Sequence, residues 1–232
     1  LILGLVIAGA WSLREGTGST LEAPADEGGP PLFHDDFERG EAGNWEFTDR
    51  AAWRIATVGE KKNRVLEQFQ ASKYEPPVRS PLNIALAPGV DVADFTLDVK
   101  VRSTARDYGH RDLCLFLGYQ DPSHFYYVHL GKAADEHANS IFLVDGKPRV
   151  SIAESRTPGT NWTDGWHHVR LLRQVESGTI LVYFDDMERP AMTAHDRTFA
   201  HGKVGVGSFD DTGMFDDFTL RGERFSAPPR SQ

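Results

Sequence analysis

Between residues 32 and 221 the chain alternates apolar runs of five to ten residues with turn-forming clusters, and no segment holds a 3.6-residue period through three helical turns. That pattern predicts strands at 33–38, 52–56, 65–69, 81–86, 94–102, 112–119, 125–131, 140–144, 149–153, 166–174, 179–184, 202–209 and 215–221. Breakers fall between them, as in Asp121-Pro122-Ser123, Thr157-Pro158-Gly159 and Glu176-Ser177-Gly178. Val144-Asp145-Gly146-Lys147 carries the Asp-Gly pair of a tight hairpin. Many short strands without helices predict an all-β fold, a two-sheet antiparallel sandwich whose first and last strands are neighbours.

Polar composition frames this domain on both sides. Residues 1–13, LILGLVIAGAWSL, are apolar but too few to span a bilayer as a helix, and Ala8, Gly9 and Ala10 are small. They read as a truncated signal-peptide-like segment, with a clipped membrane anchor as the second reading. Residues 14–31 are rich in Gly, Pro, Ser, Thr and acids and predict a flexible linker. Residues 32–222 form the expected domain, and 223–232 a flexible tail. The expected location is secreted, periplasmic or cell-surface, with membrane contact only through that N-terminal segment.

Charge and cysteine usage narrow the classes further. With 25 basic and 34 acidic residues the net charge is −9, which disfavours a nucleic-acid partner. The single cysteine, Cys114, leaves no intramolecular disulfide, and an apolar strand setting predicts a buried thiol.

The segments DDFERG (35–40), NWEF (44–47), AAWRI (51–55), DFTLDVKVRS (94–103), LCLFLGYQDPSHFYYVHL (113–130), GWHHVRLLRQ (165–174) and GKVGVGSFDDTGMFDDFTLRG (202–222) occur in an informative order. In that order the chain resembles the laminin-G-like branch of the concanavalin A-like lectin and glucanase superfamily. The resemblance implies a jelly-roll sandwich and a carbohydrate lying across a concave sheet, but this fold hosts lectins, adhesion modules, hydrolases and lyases. The laminarinase-type hydrolases of the superfamily carry E-x-D-x-x-E on one strand. Here Tyr183-Phe184-Asp185-Asp186-Met187-Glu188 puts a tyrosine in the nucleophile's place, and Asp185-Asp186 reads as a turn. A remoter resemblance to secreted 3-keto-disaccharide hydrolases rests on the opening Asp-Phe and the tryptophans.

Candidate chemistry concentrates at 108–112, 124–129 and 135–140. Alternation puts Phe125, Tyr127 and His129 on one face and Tyr126 and Val128 on the other. If Val128 faces the core, Tyr127 and His129 line the open face. His110, Arg111, Asp112, Tyr127, His129, His137 and Asn139 are therefore expected to converge on one solvent-accessible groove for a sugar, with Tyr127 and His129 as candidate acid–base residues. His167 reads as a packing residue and His168 is left open. No H-x-H or H-E-x-x-H spacing marks a transition-metal site. Asp35, Asp36, Asp216 and Asp217, brought together by pairing of the terminal strands, are the expected ligands of a structural calcium ion.

These readings lead to an exported carbohydrate-binding jelly-roll protein for an extracellular poly- or oligosaccharide. The alternatives are a glycoside hydrolase or polysaccharide lyase using the same face, and a cell-surface protein-recognition or adhesion domain.

Overall fold

The computed structural model describes residues 30–226. Residues 1–13, nearly all of the expected linker and residues 227–232 of the tail lie outside the described residues. The strands, in chain order, are β1 (Phe33–Asp35), β2 (Glu46–Phe47), β3 (Trp53–Val58), β4 (Asn63–Gln68), β5 (Asn83–Leu86), β6 (Val92–Ser103), β7 (Cys114–Asp121) and β8 (His124–His129). They continue as β9 (Ser140–Asp145), β10 (Val150–Ser151), β11 (Ser155–Arg156), β12 (His167–Gln174), β13 (Thr179–Phe184), β14 (Met192–His195), β15 (Lys203–Ser208) and β16 (Gly213–Arg224). Among the described residues the only helical element is one 3-10 turn, Arg50–Ala52.

The strands make two antiparallel sheets. The larger has the order β11-β14-β13-β12-β6-β16-β4-β3 with β1 beside β16, and the smaller has β10-β9-β8-β7-β15-β5-β2. Phe33 pairs with Leu220 and Asp35 with Phe218, so the terminal strands are neighbours. Alternating apolar positions turn inward from both sheets: Leu97, Val99 and Val101 of β6 and Val169 and Leu171 of β12 meet Leu115, Leu117, Tyr126, Val128 and Ile141. Burial of that apolar face from both sides is what drives the two sheets together.

Every strand expected from the pattern has a counterpart. β2, β11 and β14 were not anticipated, because two- to four-residue pieces carry too little alternation to register. The Asp145-Gly146 pair closes a longer connection than a tight hairpin, since Val150 is the residue opposite Leu143. Gly205 and Gly207 are required by contact: a Cβ on Gly207 would stand 1.8 Å from the carbonyl oxygen of Asn83 on β5.

β16 contains a bulge that reshapes one expectation. Phe215 and Phe218 are both fully buried although they are three residues apart, a spacing that simple alternation forbids. The register with β6 shifts between Asp216 and Thr219, and Asp217 takes a left-handed conformation (φ 48°). The bulge absorbs the odd residue.

Candidate functional site

Of the residues expected to line an open groove, Asp112, Tyr127 and His129 lie on the outer face of the smaller sheet, and that face is covered. The strand register agrees with expectation: Val128 and Tyr126 belong to the inter-sheet core, while Phe125 and Tyr127 join Ile84, Leu86, Cys114, Phe116, Phe142 and Val144 in a second apolar cluster. Solvent access does not agree. Tyr127 is 0% exposed and His129 4%, and Arg111, Asp112 and Asn139 are equally buried. The reason is tertiary: Val78, from the connection between β4 and β5, packs on the cluster, and the backbone N–H of Arg149 donates to Arg79 O in the same connection. The Arg149 guanidinium lies 4.1 Å from the ring centre of Phe209 and 5.1 Å from that of Phe142. Beneath it Phe142 stacks on Tyr127 and Phe209 on His129.

Only part of the expected constellation converges. Asp112, Tyr127 and His129 come together under this cover. Arg111 turns away, donating to Ser103 Oγ and O and to Thr163 O. Asn139 is a structural residue in left-handed conformation, its amide donating to Thr157 O and accepting from Thr160 Oγ1. His110 pairs with Asp135 and His137 with Glu136 at the surface. With no route for a polysaccharide to Tyr127 or His129 in this conformation, the acid–base assignment for that pair is not supported.

The buried polar groups are unusual in their own right. Asp112 Oδ2 accepts from the Phe209 N–H at 2.8 Å and from Cys114 Sγ at 3.4 Å, and His129 Nε2 lies 3.4 Å from the same oxygen. Asp112 Oδ1, Tyr127 OH, Arg149 Nη1 and both ring nitrogens of His129 meet no partner at hydrogen-bond geometry. Burial pushes the Asp112 carboxyl up to about 8 and the His129 imidazole down to about 3, so both favour their neutral forms. Burial likewise raises the Tyr127 phenol and the Cys114 thiol, which is buried as expected.

The acidic residues assigned to calcium do not form a group of closely spaced ligand atoms. Asp35, buried, accepts from Trp45 Nε1 (2.9 Å) and Phe37 N (3.0 Å). Asp36 caps the Glu38 N–H. Asp216 accepts from Asn63 Nδ2, and Asp217 pairs with Lys100 at 2.6 Å across the bulge. Their oxygens serve N–H donors and a lysine. Among the described residues the compact groups of metal-ligating side chains lie instead around Asp112.

An open polar site occurs on the outer face of the larger sheet. Alternation along β6 sends Asp98 and Lys100 outward while Leu97 and Val99 turn inward, and β12 does the same with His168 and Arg170. Register then makes Arg170 the direct partner of Asp98. Arg170 grips the carboxylate through Nε (2.9 Å) and Nη2 (3.1 Å), and His168 Nε2 lies 2.8 Å from the same Oδ1. Burial alone would raise the Asp98 pKa, but the hydrogen bonds and charges of His168 and Arg170 outweigh it and hold the carboxyl below the ordinary range. Arg221, Thr219, Lys100 and Asp217 complete a shallow depression of about 370 Å³. The His168 side chain is 43% exposed and that of Asp98 15%, so the constellation is built yet reachable.

Sequence reasoning missed this site except for leaving His168 open. The signal was present in Asp94-Phe95-Thr96-Leu97-Asp98-Val99-Lys100, whose polar alternates mark one face. His167 is structural as expected: it is buried, with Nδ1 bonded to Asp185 Oδ2 and Nε2 accepting from the Thr163 N–H.

No protein-family model matches this sequence, and no curated protein is similar to it. Solved structures are similar in fold. They include the carbohydrate-binding module CBM66 from Bacillus subtilis, with 18% identity and a TM-score of 0.52 over 77% of this chain and 95% of that one. Domain 4 of AbnA, a GH43 extracellular arabinanase from Geobacillus stearothermophilus solved with arabinotriose, has 14% identity and a TM-score of 0.52 over 83% and 92%. The GH43 protein BlXynB from Bacillus licheniformis has 12% identity and a TM-score of 0.53 over 82% of this chain but 39% of that one. At these identities the likeness establishes the β-sandwich.

Proposed function

We propose that this chain is a carbohydrate-binding β-sandwich that recognises an extracellular poly- or oligosaccharide on the outer face of its larger sheet, centred on Asp98, His168 and Arg170. The observation that carries the reading is the fixed Asp98–Arg170–His168 constellation in an open depression. A carboxylate and a guanidinium held side by side offer an acceptor and donors to the two sides of a sugar hydroxyl, and charged partners strengthen such bonds. Because each side chain already holds the other in place, little further ordering is needed when a ligand arrives. Support also comes from the fold: a carbohydrate-binding module and an arabinanase domain solved with arabinotriose match this chain over nearly their whole length. Delivery across a membrane by residues 1–13 belongs to the same proposal.

The test is a glycan array followed by calorimetry on the best ligand, with Asp98→Ala, Arg170→Ala and Tyr127→Phe proteins compared after their folds are verified. Loss of binding in the first two with retention in the third supports the assignment. Binding unaffected by either substitution on the larger sheet refutes it. Reducing ends or unsaturated products in the same incubations would move the protein to the hydrolase or lyase class.

A further inference from the structure

We propose that Asp112, Cys114 and His129 form a binding site for a divalent metal ion of the zinc class, enclosed on the outer face of the smaller sheet and separate from the proposed sugar face. The topology assembles it. Asp112 and Cys114 are two residues apart at the entry to β7 and so share a face, and Cys114 is the register partner of His129 on β8. One potential ligand atom from each residue lies within 4.8 Å of the other two.

Distances, chemistry and unmet polar groups agree. In a tetrahedral zinc site with bonds of about 2.0–2.3 Å, neighbouring ligand atoms stand roughly 3.3–3.8 Å apart. The Cys114 Sγ and His129 Nε2 atoms each lie 3.4 Å from Asp112 Oδ2, so these two edges already have that length. His129 is buried with neither ring nitrogen at hydrogen-bond geometry to a partner, the His137 backbone and Asp112 Oδ2 lying close to the ring, and Asp112 Oδ1 is unsatisfied. Leaving such atoms without partners in an enclosed space is costly, and coordination relieves it. The Phe209 N–H on Asp112 Oδ2 would orient the carboxylate as an outer hydrogen bond does in metal sites.

The donor set selects the metal. A thiolate and an imidazole favour zinc or cobalt over calcium, which takes six to eight oxygen ligands. Thiolate, carboxylate and neutral imidazole together balance a dication, leaving a neutral buried centre. The Arg149 guanidinium over Phe142 and Phe209 opposes a cation here, while Asp210 and Asp211, grouped with Asp112, offset it. Asp112 also belongs to an all-oxygen group with Asp210 and Asp211, and that group is the competing location for an ion.

The single cysteine makes the test direct. Tag-free full-length protein, stripped with chelator, is titrated with cobalt(II), both folded and during refolding from denaturant so that enclosure does not limit entry. The expected result is one equivalent bound with a thiolate-to-cobalt charge-transfer band, erased when zinc displaces cobalt, and a melting temperature raised by zinc. Cys114→Ser should remove the band, and both Cys114→Ser and His129→Ala should remove the zinc-dependent stabilisation. Absence of the band under both loading conditions overturns the proposal, whether or not the variants fold. Metal binding retained in Cys114→Ser but lost in Asp210→Asn also overturns it, by moving the ion to the oxygen group.

Discussion

Arg170 and Asp98 are direct register partners on β12 and β6, joined by two hydrogen bonds of 2.9 and 3.1 Å although 72 residues separate them in the chain. The pair has consequences for binding and for stability.

Arg170→Ala removes two charge-assisted hydrogen bonds from a largely buried carboxylate. A loss of about 1.5–3 kcal/mol in unfolding free energy is expected from denaturant titration, together with loss of glycan retention. A variant of unchanged stability would mean that solvent replaces the guanidinium at no cost.

The Asp98 carboxyl is held below its ordinary pKa, so the folded state favours the ionised form. Its contribution to stability is therefore fully present above the unfolded value of about 3.9 and is lost as pH falls through the lower folded value. The stability difference between wild type and Asp98→Asn should shrink as pH falls below about 5. Urea titrations across this range measure it. A difference that stays undiminished at acid pH contradicts the assignment.

Tyr127→Phe deletes a buried hydroxyl that meets no partner at hydrogen-bond geometry and has only a weak interaction with the Arg149 guanidinium, and its ring remains stacked on Phe142. Stability should be unchanged or rise by about 0.5–1 kcal/mol, whereas Tyr127→Ala should cost about 3–5 kcal/mol through the cavity it opens. Thermal melts of the two variants separate packing from hydrogen bonding at this position.

Asp35→Ala strands the buried Trp45 indole N–H and the Phe37 N–H. The expected loss is about 2–3 kcal/mol. Because those oxygens face N–H donors, the loss should be the same with calcium and with chelator; a calcium-dependent difference would restore a cation at this end of the sandwich.

Gly207→Ala would press a Cβ to 1.8 Å from Asn83 O, which is backbone and has little freedom to withdraw. A destabilisation of about 3 kcal/mol or more follows from such overpacking, visible as a lowered melting temperature or loss of soluble protein. An unperturbed melt would show that β5 and β15 can separate locally.

Local pattern was enough to determine the sandwich, all of its strands but β2, β11 and β14, and the faces of individual strands. Val128 inward and Tyr127 outward follow from two-residue alternation, and the burial of His167 and Cys114 follows from their apolar settings. What lies over an outward face is not a local property. The cover on Tyr127 and His129 comes from Val78 and Arg149, and the Asp98 constellation from β12, all remote in the chain. Cys114 beside His129 is likewise a matter of register between strands. The bulge at Asp216-Asp217 was hidden for a related reason, because it answers to the spacing of Phe215 and Phe218 against β6. Alternation specifies which way a side chain points; only the packed chain decides whether it points at water, at another segment, or at a partner with which it can bind an ion.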